Sequence, residues 1–141
     1  MSARLALRNR GMVVPVSETW VIDDGTATPL SPTAAAEVLL TRVDRGRLET
    51  WLTSSAGRSL GFVTNTERAM VLLPDGDADP GEHAVDPGAR GSSGGFVLAN
   101  GQHDAYADAD TVPIDEAVAV VTHLLRHGSW PPATRWVSDR D

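Results

Sequence analysis

Residues 112–136, VPIDEAVAVVTHLLRHGSWPPATRW, decide the fold because they combine an amphipathic helix with a sharp stop. Apolar side chains recur at helical spacing, so they form a stripe about 100° wide that must face a core. They are Ile114, Ala117, Val118, Val121, Leu124 and Leu125. Gly128 supplies the left-handed residue that ends the helix, and Pro131 prevents its continuation. The stretch predicts a docked C-terminal helix and a stiff tail that ends at Trp136.

Two further elements are predicted in the first third of the chain. Residues 31–46 predict a helix, because Ser31 is a favourable N-cap, Pro32 suits the first helical position and Gly46 suits the end. Residues 12–22, MVVPVSETWVI, are rich in β-branched and aromatic side chains and predict a strand. Pro15 places that strand at the edge of a sheet.

The middle of the chain predicts antiparallel strands. Residues 48–54, 60–65 and 68–73 predict a meander with a tight turn at Asn65. Residues 74–94 are rich in proline, glycine and acidic side chains and predict a long loop, with room for a short strand at residues 83–85. Asn100-Gly101 predicts a hairpin with a type I′ turn. The element order predicts one α+β domain over residues 1–141, with a mainly antiparallel sheet (meander plus hairpin) and two helices packed on it.

Composition excludes several classes of function. The 141-residue chain has no cysteine, which excludes disulfides, thiol nucleophiles and zinc sites that need thiolates. No apolar segment approaches the ~18 residues that span a bilayer, and residues 1–11 lack a signal-peptide core, so we expect a cytoplasmic protein without a membrane partner. The net charge of −7, with scattered arginines, disfavours direct binding of nucleic acid. Such acidity suits a basic protein partner, or simply keeps the protein soluble.

One motif resembles that of a catalytic nucleophile. Residues 91–95, GSSGG, match the G-x-S-x-G pattern of hydrolases. That elbow needs a strand before it and a helix after it, whereas here a loop precedes and a strand is predicted to follow. We interpret Ser93 as part of a flexible glycine-serine turn and predict no catalytic residue.

Two patterns resemble metal sites. Asp75, Asp77 and Asp79 have the 1-3-5 spacing of a calcium loop, but Pro80 replaces the glycine expected at position 6. We interpret these aspartates as a solvated or partner-facing acidic loop, and we predict no metal and no cofactor.

The second pattern is a pair of histidines on the C-terminal helix. His123 and His127 lie four residues apart, yet the sequence offers no obvious third ligand. His83 and His103 are isolated in the sequence. Surface or helix-capping histidine is therefore the favoured interpretation.

The four tryptophans suggest both core and surface roles. Core packing is expected for at least two of Trp20, Trp51, Trp130 and Trp136. In the strand LETWLTS, Trp51 shares a face with Glu49 and Thr53, opposite the apolar face, so we expect it to be half exposed.

Taken together, these segments resemble immunity-protein family one of bacterial polymorphic toxin systems, small cytoplasmic antidotes that are often paired with nucleic-acid deaminase toxins. The resemblance is strongest over residues 48–138 and rests on a pattern of segments. These are the strands LGFVTN and RAMVLL, the Gly94-Gly95 strand, the hairpin with Tyr106, the Val112-Pro113 helix entry, and the Gly128-x-x-Pro131-x-x-x-x-Trp136 ending.

The resemblance implies a protein without enzymatic activity that binds a cognate toxin domain one-to-one and blocks its active site. A deaminase must hold a nucleobase beside phosphates, so basic residues should surround its pocket. An acidic inhibitor is complementary in charge to such a pocket. The residues that we assign to the partner contact are Asp75, Asp77, Asp79, Glu82, Asp104, Tyr106, Asp108 and Asp110.

Two other functions stay open. The first is a small-molecule-binding or regulatory α+β module with its pocket between the sheet and the C-terminal helix. The second is an enzyme, whose only support is the histidines and Ser93.

Overall fold

The computed structural model describes residues 18–140, in which seven strands form one antiparallel sheet and two form a separate hairpin. The main sheet has the order β1-β2-β3-β4-β5-β9, and β8 pairs with β4 beside β5. The strands are β1 (Trp20–Ile22), β2 (Glu49–Ser54), β3 (Ser59–Thr64), β4 (Arg68–Leu73), β5 (Glu82–Ala84), β6 (Ser92–Val97), β7 (His103–Ala107), β8 (Val112–Pro113) and β9 (Trp136–Ser138). The helices are α1 (Ala35–Asp44) and α2 (Ile114–His127). The α+β class with a mainly antiparallel sheet is confirmed.

The helix α2 has the predicted stripe and the predicted stop. Val121 and Leu124 have no exposed surface, and Leu125 is nearly buried, because α2 packs on β3 and β4. Gly128 has φ of +76°, and its N–H donates to the Leu124 carbonyl at 2.8 Å. This left-handed end is the one that a glycine makes without steric cost. The Gly128 carbonyl in turn accepts from Arg58 Nη2 at 2.8 Å.

The stiff tail predicted after α2 ends in a strand that the sequence did not predict. Trp136 begins β9, which pairs with β5, and the Trp136 side chain is 44% exposed. Its ring stacks on that of Trp130, with centroids 6.3 Å apart. Trp130 is partly buried against the core and Trp20 is fully packed inside it, so two of the four tryptophans do serve packing.

The helix α1 begins as Ser31 and Pro32 predict, with one refinement. A short 3₁₀ helix, Pro32–Ala34, precedes it, and the Ser31 hydroxyl accepts from the Ala34 N–H at 3.2 Å. The chain leaves α1 through Gly46, whose φ is +82°. Ala35 and Leu39 enter the core, and α1 packs against α2.

The predicted edge strand exists only in its last part. Trp20–Ile22 forms β1 at one end of the sheet, while residues 12–17 of the predicted strand lie outside the described residues. The predicted meander is confirmed as β2, β3 and β4. Asn65 shapes its second turn, because its side-chain oxygen accepts from the Arg68 N–H at 2.8 Å and its N–H donates to the Arg68 carbonyl at 3.1 Å.

The predicted long loop is shorter than expected. It is interrupted by β5, close to the predicted short strand, and it ends where β6 begins at Ser92. Ser93 is therefore not part of a flexible turn: it lies in β6 opposite Tyr106. Glycine and serine have low strand propensity, so the sequence did not predict a strand there. The segment is extended because it pairs with β7.

The hairpin β6–β7 exists, but its turn is not type I′. The Leu98 N–H donates to the Gln102 carbonyl at 2.8 Å and the Gly101 N–H donates to the Leu98 carbonyl at 2.9 Å, which encloses a three-residue loop. Only Gly101 of that loop has positive φ, at +89°. This is the type I turn with a glycine bulge that three-residue loops adopt.

The core lies between the main sheet and the two helices. Leu60, Phe62 and Val71 from the strands meet Val121 and Leu124 from α2, and none of the five has exposed surface. The place expected for a ligand pocket in the small-molecule alternative is thus filled with side chains. No helix among residues 18–140 is long and apolar enough to cross a bilayer.

Candidate functional site

The opposite face of the sheet carries a tryptophan held in a fixed position. Trp51 lies directly across from Gly61 in the β2–β3 ladder, and its ring covers the place where a Cβ at residue 61 would sit, 2.7 Å from the ring edge. Its Nε1 donates to Glu49 Oε2 at 2.8 Å. Packing below and a hydrogen bond at the side therefore fix the ring, which is half-buried as predicted.

Trp51 separates two open concavities, which together with it we call the Trp51 surface. The first, of about 440 Å³, lies between β2, the end of α1 and the β6–β7 loop. The second, of about 350 Å³, lies between β3, β4 and the β4–β5 loop. The charged residues are Asp23, Asp24, Glu49, Arg42 and Arg47 in the first concavity and Asp77 and Asp79 in the second. The tryptophan is flanked by carboxylates on both sides.

Part of this surface was missed at the sequence level. Asp23, Asp24 and Glu49 were not selected, although the alternation of β2 already placed Glu49 on the face of Trp51. The Glu49 carboxylate also holds the hairpin in place, since its Oε1 accepts from the Ala99 N–H at 2.9 Å. The local sequence did not indicate that Asp23 and Asp24 belong to this surface, because their position depends on how β1 pairs with β2.

The acidic loop between β4 and β5 is held in place by an arginine. Asp79 accepts from Arg140 Nε at 2.9 Å and from Arg140 Nη2 at 2.7 Å, and also from the Asp75 N–H at 2.7 Å. The hydrogen bonds from Arg140 lower the pKa of Asp79 to about 2. Within residues 18–140, no group of three or more histidine, aspartate or glutamate side chains is placed to hold a metal ion.

The other loop residues assigned to the partner contact differ in whether their carboxylates already accept hydrogen bonds within the protein. Glu82 accepts from Trp130 Nε1 at 2.7 Å and from Arg140 Nη1 at 2.8 Å, so it ties β5 to the end of the chain. Asp75 and Asp77 are exposed, and their carboxylates accept no hydrogen bond from any residue of the 18–140 range. Of the four, these two have carboxylates that are exposed and free of hydrogen bonds within that range, so they are the most accessible to a partner.

The residues predicted around the hairpin form a second group with internal bonds of its own. Asp104 accepts from Gln102 Nε2 at 2.7 Å and from the Tyr106 hydroxyl at 2.8 Å. These hydrogen bonds lower the pKa of Asp104, whereas burial and the Asp104 carboxylate raise the pKa of Tyr106 to about 12. The Tyr106 ring meets the buried Phe96 ring edge-on, with centroids 4.8 Å apart. Tyr106 is thus mainly a structural residue of the hairpin.

Asp108 belongs to a network around Arg68. It accepts from the Ser93 hydroxyl at 2.6 Å through Oδ1, while Arg68 Nη2 donates to the Asp108 carbonyl at 3.1 Å and to Asp86 Oδ2 at 2.7 Å. Arg68 Nε donates to Thr111 at 2.7 Å. The Ser93 hydroxyl thus donates to a carboxylate and has no histidine partner within the described residues, which is not the arrangement of an activated nucleophile.

Asp110 belongs to a network around His83. The expectation that His83 is isolated is wrong, because its Nδ1 lies 2.7 Å from Asp139 Oδ2 and its Nε2 lies 3.0 Å from Asp110 Oδ1. Burial disfavours the charged ring, but the hydrogen bonds to both carboxylates outweigh it and raise the pKa of His83.

The helical histidines form only a pair. The rings of His123 and His127 lie 4.4 Å apart at their centroids on α2. Desolvation, followed by the neighbouring charges of His127 and Arg126, lowers the pKa of His123. His103 is exposed on β7.

The eight predicted partner residues therefore lie in two groups. The loop group, Asp75, Asp77, Asp79 and Glu82, borders the second concavity and Arg140. Asp104, Tyr106, Asp108 and Asp110 belong to the hairpin and to the 3₁₀ turn after it. A scan of protein-family models and a search of curated proteins find no match for this chain.

Proposed function

We propose that this protein is a stoichiometric inhibitor, an immunity protein that binds a cognate bacterial toxin domain and blocks its active site. The observation that carries the proposal is the Trp51 surface, a fixed aromatic ring between two concavities that each carry carboxylates. A rigid half-buried tryptophan provides contact area at little entropic cost, and tryptophan is enriched among residues that dominate binding energy.

Charge supplies the second part of the argument. Asp77 lies on one side, and on the other Asp23, Asp24 and Glu49 outnumber Arg42 and Arg47. Asp79 is already paired with Arg140, so the remaining negative charge favours a partner that presents arginine or lysine. A cation beside the Trp51 ring gains a further attraction from the ring face. Complementary charge speeds association and suppresses wrong partners, which is what an antidote expressed beside its toxin requires.

The resemblance to the immunity-protein family supports the choice of partner. A nucleic-acid deaminase takes a nucleobase into its pocket beside phosphates, so its active-site rim is basic. We propose that the Trp51 surface covers such a rim in a one-to-one complex and excludes the nucleic acid. The intramolecular bonds of Asp108, Asp110 and Glu82 support the scaffold of this surface more than the contact itself.

The first experiment is co-expression with the products of the neighbouring genes, followed by purification and a growth assay. We expect one neighbour to be toxic, to be silenced by this protein, and to co-purify with it at equal stoichiometry. No toxic neighbour and no complex would refute the proposal.

Variants then locate the interface. The change Trp51→Ala should weaken the complex by at least about tenfold if Trp51 is a dominant contact. The double change Asp75→Arg/Asp77→Arg should slow association and reduce its dependence on salt. The matched control is Asp115→Arg/Glu116→Arg, two exposed acids in the first turn of α2, which should leave the association rate unchanged apart from the global charge. Equal effects of the two double variants would show that the acidic loop beside the Trp51 surface is not part of the contact.

A second candidate is the small-molecule-binding or regulatory module. The first concavity favours it, because its volume of about 440 Å³ is adequate for a small ligand and Arg42, Arg47 and Trp51 line it. A ligand there should raise the melting temperature in the absence of any protein, and Trp51→Ala should remove the rise. A metabolite panel without any shift would count against this candidate.

A further inference from the structure

The path of the main sheet ends at β9, whose outer side is open within the described residues. At the far end, β1 is covered, because Val21 bridges to Pro29 and the Leu30 N–H donates to the Trp20 carbonyl at 2.8 Å. At the other end, β9 pairs with β5 on one side, and no strand of residues 18–140 pairs with its other side. An open edge presents unpaired backbone donors and acceptors, which can add a strand from another chain.

The ladder shows which groups point outward. The Val85 N–H donates to the Arg135 carbonyl at 2.9 Å, and the Asp139 N–H donates to the Gly81 carbonyl at 2.8 Å. Odd-numbered residues of β9 thus direct their backbone groups to β5. Because successive residues of a strand alternate, the N–H and carbonyl groups of Trp136 and Ser138 point to the open edge.

This edge also carries exposed apolar side chains. Trp136 is 44% exposed and Val137 is 42% exposed, and both belong to the small set of large hydrophobic residues left in solvent in the described part of the chain. Trp136 lies on the helix face with Trp130, and Val137 lies on the other face beside His83. Side chains on both faces of β9 would therefore be covered by an added strand.

We propose that β9 is the contact of a homodimer, in which it pairs antiparallel with β9 of a second copy. Centred on Val137, this pairing places Trp136 opposite Ser138 of the second copy, so the outward groups of each meet in a hydrogen-bonded pair. In the same register, Arg135 of each copy lies opposite Asp139 of the other copy, which gives two charge pairs. A shift of two residues would lose both charge pairs.

Both charges are available for this contact. Arg135 is exposed, and Arg135 and Asp139 flank β9. Their backbone groups continue the ladder with β5, so the alternation of the strand places both on the face of Val137. Asp139 accepts from His83 through Oδ2, which leaves Oδ1 for the guanidinium of the second copy. Opposite charges directly across a ladder attract each other, and like charges there repel, so this pair of residues selects the register.

The pairing is closed after two copies. It is isologous, so each copy uses its β9 edge and a third copy cannot add to the pair through the same edge. A three-residue ladder is small beside the ~800 Å² per partner of a typical stable complex, so the dimer is weak and forms at high concentration. This proposal uses a different part of the molecule from the Trp51 surface and does not depend on the proposed function.

Sedimentation of the full chain tests the proposal over roughly 1 μM to 1 mM. We expect a concentration-dependent dimer for the wild type and for Ser138→Ala, and at least about tenfold weaker association for Ser138→Pro. Proline removes the outward N–H and leaves the β5 ladder intact. Alanine is the matched control, because both changes remove the bond from the Arg140 N–H to the Ser138 hydroxyl.

A charge-exchange experiment tests the register. Arg135→Asp alone and Asp139→Arg alone should each weaken self-association, since each juxtaposes like charges. An equal mixture of the two variants should restore it, since in the mixed dimer the introduced carboxylate of one variant meets the introduced guanidinium of the other, and the native pair forms at the second position. A monomeric wild type throughout, a dimer insensitive to Ser138→Pro, or a mixture that associates no better than its components would overturn the proposal. Circular dichroism confirms that each variant is folded.

Discussion

A single methyl group at residue 61 should reveal how the Trp51 surface is built. In Gly61→Ala, the added Cβ would lie 2.7, 2.8 and 3.0 Å from three atoms of the Trp51 ring, distances that real Cβ contacts do not tolerate. The ring must therefore move. Movement strains its bond to Glu49 and lifts the aromatic surface from the sheet, so we expect a loss of about 1–3 kcal/mol in the free energy of unfolding.

The same change should have the opposite sign once the ring is removed. Gly61 lies in the interior of β3 and its φ is outside the left-handed region, so alanine fits its backbone. With Trp51→Ala as background, Gly61→Ala should stabilise by about 0.4–1 kcal/mol, because alanine loses less backbone entropy on folding. The coupling between the two sites is then about 1.4–4 kcal/mol, the sum of the loss in one background and the gain in the other.

Urea unfolding followed by far-ultraviolet circular dichroism measures all four proteins of this cycle without relying on tryptophan fluorescence. Wild type, both single variants and the double variant should show similar dependence on urea and different midpoints. If Gly61→Ala costs the same in both backgrounds, or stabilises the protein that retains Trp51, the ring does not lie over Gly61. The surface proposed for partner binding would then have a different shape.

Three further changes test the fold and its networks. Leu124→Ala should cost about 2–5 kcal/mol because the side chain is fully buried, whereas Leu40→Ala, at 42% exposed, should cost below about 0.5 kcal/mol in urea unfolding. Gly128→Ala should cost about 1–2 kcal/mol for its left-handed φ of +76°, and Gly88→Ala, in open space without positive φ, is the control expected near zero. His83 has a raised pKa, so its stabilisation is complete below its unfolded pKa of about 6.5 and declines as pH rises through the folded value. His83→Gln should therefore lose stability relative to wild type at about pH 6, and the difference should shrink as the pH rises; a pH-independent difference would contradict this assignment.

The sequence predicted those parts of the fold whose signals are local. The stripe and stop of α2, the Ser31 cap and the Asn65 turn each depend on side chains within a few residues of one another. The alternation of β2 placed Trp51 correctly for the same reason. Local pattern thus specified helices, turns and strand faces.

Pairing between distant segments was not predictable in the same way. The strand β9 forms because β5 lies beside it. Nothing in the sequence of residues 135–138 identifies β5 as the strand with which they pair. Ser93 was assigned to a turn because glycine and serine have low strand propensity, and β7 overrides that propensity. His83 looked isolated because Asp110 and Asp139 are 27 and 56 residues away in the chain.

The acidic side chains divide into those that hold the fold and those that can meet a partner. Arg58 binds Glu18, Arg68 binds Asp86, and Arg140 binds Asp79 and Glu82. Each of these carboxylates stabilises the folded chain through an arginine, so its replacement would change stability and binding together.

Asp75 and Asp77 differ, because they are exposed and accept no hydrogen bond within residues 18–140. Asp75 is attracted to Arg58, but neither carboxylate has a hydrogen-bonded cation as Asp79 has in Arg140. Removing the two charges should therefore change the stability of the isolated protein little, while the complex loses association rate. A change that weakens the complex without weakening the fold is the mark of a binding residue.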